Sequence, residues 1–218
     1  MGTPSTTGRA NQKLRTRTAI VQAAAELSRT GREVTMPEVA KAALVSEATA
    51  YRHFPDLLSL LREAVTGQLP TAAEALQPVT DSTDPVERVA AATEALLRHI
   101  LSRQGVVRAM IAATIVRPAE ASARPGLRFG LIDHALAPAV DSDTLQPAAL
   151  DQLKRDLSVV ISAEALFSLT DLNGLDPEQA IASLVHTATT LTRAALRDSE
   201  LADGRAGPDA TPPPQTDA

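Results

Sequence analysis

The sequence has no cysteine, which excludes a disulfide framework, a thiolate metal site and a cysteine nucleophile. It has no tryptophan, one tyrosine (Tyr51) and three phenylalanines, so a large flat ligand would find few rings to stack on. No apolar run approaches the roughly 18 residues of a membrane span, and no apolar signal segment opens the chain. A cytoplasmic protein without membrane contact is therefore expected. No period-two alternation marks a strand anywhere, which leaves an all-α fold. Glycine-rich phosphate loops and nucleophile elbows are missing. His53, His99, His134 and His186 show no i, i+4 pairing with another ligand type. Asp133 and His134 are neighbours and diverge on a helix. Hence no metal, no cofactor and no enzyme activity is expected.

Acidic residues are also missing from one place. None precedes Glu26, whereas Arg9, Lys13, Arg15 and Arg17 all lie there. Residues 1–65 hold nine basic and six acidic side chains, a balance of +3, and the remainder carries −8 within a net charge of −5. A basic head on an acidic body would orient itself on a polyanion. Among 218 residues, 44% are hydrophobic, enough for a packed core without metal or disulfide staples.

Residues 1–13 are small, polar and basic and read as a flexible arm. Apolar positions Ile20, Ala23, Ala24 and Leu27 give a first helix from about Leu14 to Thr30, closed by Gly31. Thr35-Met-Pro-Glu38 matches a capping box and opens a second helix to about Ala43. Ser46 caps a third, Glu47 to His53, which Pro55 stops. Residues 14–56 thus form a three-helix head with a helix–turn–helix, and 57–77 a connecting helix that Gly67 and Pro70 bend or interrupt. Residues 78–202 form a helical body with helices over Val86–Arg103, Val106–Val116, Gly126–Val140 (shorter, ending near Pro138), Pro147–Leu172 and Pro177–Leu201. Val106–Val116 is nearly all apolar and reads as the buried central helix. Residues 203–218 are Gly, Pro, Asp and Thr rich and read as a disordered tail.

The second helix of a helix–turn–helix lies in the DNA major groove. Tyr51 and His53 can donate to phosphate oxygens, and Thr49 sits in the first turn beside Ser46, where an anion is favoured. Glu47, Ala48 and Arg52 are the candidates for base edges: Arg for guanine, Glu for cytosine N4, Ala for a thymine methyl. Thr35 and the arm residues Arg15 and Arg17 add phosphate contacts. The plainer alternative is an amphipathic helical hairpin on which Tyr51 and His53 are surface decoration.

Ile20 to Phe54 resembles the DNA-binding head of the TetR (tetracycline-repressor-like) family. The resemblance lies in IVQAAAEL from Ile20, in Gly31, in T-x-x-x-VA over Thr35–Ala40, in Val45-Ser46 and in T-x-YRHF over Thr49–Phe54. By motif it covers about the first 65 residues. It implies a homodimeric transcriptional regulator, usually a repressor, that a small molecule bound in the body releases from its double-stranded operator. Three positions depart from the family pattern. Leu44 stands where the turn usually has Gly, Leu57 where a phosphate-binding Lys usually follows the Phe, and Ala50 where Leu usually precedes the Tyr. The competing function is a helical ligand-binding or protein-interaction module whose head binds DNA weakly or not at all.

Two apolar stripes mark the last two helices as the dimer scaffold: Leu153, Leu157, Val160 and Ile161, then Ile181, Leu184, Val185, Ala188 and Leu191. The second helix also carries the small residues Ala182, Ser183, Thr187, Thr190 and Ala194. The alternative is that both stripes pack on their own body. Candidate linings for a small apolar ligand are Leu97, Ile100, Met110, Ile111, Thr114, Phe129, Ile132, His134 and Phe167, against the alternative of plain core packing. Glu164, inside the apolar run VVISAEALF, is a pocket acid, an interface acid or a solvated one.

Overall fold

The structure, a computed structural model, describes residues 6–66, 70–116, 126–142 and 144–205. Among these it is built from eleven α-helices, with no strand. The head consists of α1 (Thr6–Ser28), α2 (Met36–Ala42), α3 (Glu47–His53) and α4 (Leu57–Thr66). The body holds α5 (Ala72–Ala75), α6 (Pro85–Ser102), α7 (Gln104–Val116), α8 (Leu127–Asp141), α9 (Pro147–Val160), α10 (Ala163–Phe167) and α11 (Pro177–Arg205).

The start signals act where the sequence places them. Thr35 and Glu38 form a reciprocal capping box at α2. Ser46 accepts the Thr49 amide at α3, and Asp56 accepts the Ser59 amide at 2.7 Å at the start of α4. Gly31 ends the α1 loop at φ +69°, the left-handed region where a Cβ is costly. Two cores result. The head core joins Ile20, Val39, Ala50, Phe54, Leu60 and Leu61, and it extends to Val106 and Met110 of α7. The body core centres on α6, whose Val89, Ala92, Leu96, Leu97 and Ile100 recur at three and four residues and face α8 and α11.

Four expectations change. α1 starts at Thr6, so residues 6–13 of the expected arm are helix. The central body helix is α6. Helix α7 instead leans on the head and leaves Ile115 70% exposed. Pro138 lies inside α8 and does not end it. A proline at 138 has no N–H for the carbonyl of His134, and Arg88 makes up the loss. Arg88, 5% exposed, donates to His134 O at 2.8 Å and to Ala135 O at 3.2 Å; its other donors meet Val79 O and Ser82 O. Last, the helix expected over Pro147–Leu172 breaks at Ile161–Ser162, where Ser162 caps α10 by accepting the Ala165 amide. A π-helical stretch, Ser168–Leu172, follows directly, and the Asn173 amide reaches back to Ser168 O. Gly67, expected as a bend point, lies outside the described residues.

Candidate nucleic-acid interface and a pocket between head and body

The turn between α2 and α3 sets the angle of the recognition helix. Leu44 occupies the left-handed region at φ 55°. Its amide bonds Lys41 O at 3.2 Å, and the Val45 amide bonds Ala40 O at 2.9 Å. This pair of bonds is a Schellman closure with leucine in the glycine position. The turn thus keeps its shape and carries the strain, about 1–2 kcal/mol for a residue with a Cβ. Leu44 gains nothing from burial, since it is 93% exposed.

Helix α3 then buries Ala50 and Phe54 and turns Glu47, Ala48, Tyr51 and Arg52 outward on one face. These four include all three candidates for base edges. Small Ala50 lets α3 lie close on the head core. Ser46 and Thr49 are engaged with each other: their hydroxyls lie 2.9 Å apart, and Ser46 Oγ accepts the Thr49 amide at 3.2 Å. The Thr35 hydroxyl likewise donates to Glu38 Oε2 at 2.8 Å, so it serves the cap of α2.

Arg17 is the main correction in the head. The sequence reading puts it on phosphate, but its guanidinium donates to His53 O at 3.0 Å, pairs with Glu63, and lies 4.2 Å above the Phe54 ring. It clamps α1 to the end of α3 and to α4. Arg15 remains exposed on α1. Lys13, expected in the flexible arm, lies on α1 near enough for its charge to act on His53. The His53 pKa is lowered from its usual value by partial burial first, then by the charges of Arg52, Lys13 and Arg17. Lys13, Arg17, Arg52 and His53 therefore form one positive corner beside the exposed face of α3. The i, i+4 spacing of Lys13 and Arg17 was the available signal.

A cavity of about 690 Å³ lies between the head and body cores. Ile100, Met110, Ile111 and Phe129 line it, as expected. Leu97, Ile132 and Phe167 do not; they are buried in the body core, where packing claims them. His134 lies away from the cavity, and its carbonyl serves Arg88. The side chain of Thr114 is outside the described residues. Sequence reasoning missed the polar wall: His99 and Arg103 at the end of α6, and Arg128 at the start of α8. Glu164 lies at the pocket's edge, 3.7 Å from Arg128 and 42% exposed to solvent. Val65 of α4, and Val106 and Met110 of α7, line the cavity and also belong to the head core. Gly105 at the head of α7 sits so close to the α1–α2 loop that a Cβ would fall 2.0 Å from Arg32 O.

The stripes expected at a dimer interface turn inward. Leu153, Leu157, Ile161, Ile181, Leu184 and Ala188 are buried in the chain's own core, and Val160, Val185 and Leu191 pack against it. A buried side chain has no area left to give a partner. The opposite face of α11 is exposed, and there lie Ala182, Ser183, Thr187, Thr190 and Ala194.

Comparison with known proteins bears on the head. Residues 20–64 match the sequence model of the bacterial regulatory proteins, tetR family. No curated protein and no solved structure matched the chain. The matched span runs from Ile20 at the centre of α1 to Ala64 in α4, and it includes the whole helix–turn–helix with Leu44, Leu57 and Ala50 in place. With this match over residues 20–64, and with helices and no strand among the described residues, the protein is a DNA-binding transcriptional regulator carrying the tetR-family head.

Proposed function

We propose that the chain is a cytoplasmic, homodimeric repressor that a small, largely apolar molecule releases from its operator. The observation that carries this reading is the double use of α7 and α4. Val106, Met110 and Val65 touch the cavity on one side and the head core on the other. Gly105 adds a close backbone approach to the loop before α2. A ligand that fills the cavity presses on both helices, and the head is carried by both. It acts by population shift: it stabilises the arrangement whose head spacing misses the operator.

Two heads on successive major grooves stand about 34–36 Å apart, which a two-fold dimer supplies. The exposed small residues of α11 support an interface on that outer face, since they allow close helix approach. The direct test is a fluorescence-anisotropy titration of the full chain on duplex DNA from upstream of its own gene, with sedimentation to count protomers. Sequence-specific, salt-sensitive binding by two protomers is expected. Binding without sequence preference, or none, overturns the reading.

A further inference from the structure

We infer that the cavity takes an amphiphilic anion: an aliphatic body ending in one carboxylate-type head group. The inference rests on the ligand-responsive reading above and names the class of ligand. The volume of about 690 Å³ falls within the roughly 300–1,000 Å³ of sites for drug-sized ligands. Most of the wall is aliphatic, from residues such as Leu96, Ile100, Val107, Leu127 and Ile161, and Phe129 is the one ring among its described apolar lining. That surface suits a flexible hydrocarbon body better than a stacked aromatic one.

The polar groups of the wall are mostly donors. Arg103 Nη1 lies 3.2 Å from His99 Nδ1. A guanidinium has no lone pair to offer, so Nδ1 accepts and the ring carries its proton on Nε2. That Nε2 is buried and has no hydrogen-bond partner. A buried donor without an acceptor is the group an incoming oxygen completes. Burial, and then the charge of Arg103, lower the His99 pKa, so the ring stays neutral near pH 7 and the positive charge of this corner belongs to the arginines. Arg128 brings a second guanidinium from the first turn of the 15-residue α8, whose cap residue Gly126 supplies no side-chain bond to the helix amides. Gly126, Leu127 and Arg128 all line the cavity, so the positive end of that helix dipole faces it. Among the described lining residues one carboxylate, Glu164, stands against these donors, and Arg128 already holds it at 3.7 Å, near the limit of an ion pair. An ammonium head would meet two guanidiniums and a carboxylate that is partly neutralised. A carboxylate head meets Arg103, His99 and a loosely held Arg128.

The test compares octanoate, 1-octanol and octyltrimethylammonium on the full chain by calorimetry near neutral pH and physiological salt. Octanoate is expected to bind at least about tenfold more tightly than octanol, with the cation weakest. Arg103→Met should cost octanoate about tenfold and leave octanol nearly unchanged, while Arg103→Lys, which keeps the charge, should preserve most of the preference. Glu164→Gln should tighten octanoate, because it frees Arg128. Octanol or the cation binding as tightly as octanoate overturns the inference and leaves a ligand-responsive regulator standing. Binding by none of the three overturns it as well. Octanoate binding that leaves DNA affinity unchanged supports the anion site and overturns the regulatory reading instead.

Discussion

The head and the body use their basic residues in opposite ways. In the body, three arginines are clamps. Arg88 is buried with its donors on main-chain carbonyls, Arg98 forms a two-pronged pair with Glu178, and Arg108 lies 3.8 Å above Phe167 and pairs with Asp171. In the head Arg17 also behaves this way. Arg52, Arg15 and Lys13 project from exposed positions on α1 and α3. The net charge of −5 thus says little about DNA, because what matters is which cations already have partners. Breaking a clamp should cost stability and spare recognition, whereas removing an open cation should do the reverse.

Arg88→Met should have the largest effect. It deletes the guanidinium while keeping an apolar stem, and it takes the Arg88 donors from the buried Ala135 O and the part-buried His134 O, the latter of which Pro138 cannot replace. A loss of about 3 kcal/mol in chemical denaturation is expected, with the operator affinity of the folded fraction unchanged. A loss below about 0.5 kcal/mol would show that Arg88 is no clamp.

Gly105→Ala tests the joint between the two regions. The new methyl meets backbone, not a flexible side-chain end, so α7 or the α1–α2 loop must move. We expect about 2 kcal/mol of destabilisation and, more telling, weaker coupling between ligand and DNA: the two affinities should become nearly independent. Unchanged coupling would move the transmission from α7 to α4 alone.

These positions also show what a sequence can reveal. The helix–turn–helix was legible because its signals are local: the Thr35–Glu38 box, the Ser46 cap and the Ala50–Phe54 spacing each span a few residues. The Schellman turn at Leu44 was not, since leucine at that position argues against the conformation it adopts. The start of α1 was missed because Gly8 and the small polar residues around it are weak helix formers, and nothing local marks Thr6. The break at Ile161–Ser162 hid inside an apolar run whose periodicity continues across it. The polar wall of the cavity was beyond reach: His99, Arg128 and Glu164 meet only through tertiary packing, and no spacing along the chain records that. The dimer stripes failed for a related reason, since periodicity identifies a buried face without saying which partner buries it.

Within the head, Arg52→Ala and Arg17→Met should separate recognition from support. Arg52 is exposed on the face of α3, so its loss should leave stability within about 0.5 kcal/mol and weaken operator binding by about 1–3 kcal/mol. Arg17→Met should cost about 1 kcal/mol of stability through the lost His53 O bond and the contact with Phe54, and should weaken DNA binding only through the shift of α3 that follows. Equal losses of DNA affinity without any loss of stability would return Arg17 to the phosphate contacts. Leu44→Gly is smaller and of opposite sign. It should stabilise the head by about 0.5–1 kcal/mol, because the strain is relieved and an exposed side chain gives up no burial.

The smallest effect concerns His53, and its two readouts run in opposite directions. Burial and the charges of Arg52, Lys13 and Arg17 hold its pKa below the ordinary value of 6.5, so the unfolded chain takes up the proton more readily than the folded head does. Its contribution to stability is therefore fully present above pH 6.5 and declines as the pH falls through that value. His99 adds to the same trend, because its pKa is lowered as well. DNA reverses the sign for His53 alone. Phosphates placed against this corner counter the three cations and favour the charged ring, so the complex holds the proton more tightly than the free protein, and operator affinity should rise as the solution is acidified from pH 7.5 toward 6 even while the fold weakens. Anisotropy at constant ionic strength reads the first trend and denaturation the second. His53→Gln should flatten the pH dependence of binding but keep the part of the stability trend that belongs to His99. A binding curve that stays pH-dependent in this variant would place the titrating group elsewhere and remove His53 from the interface.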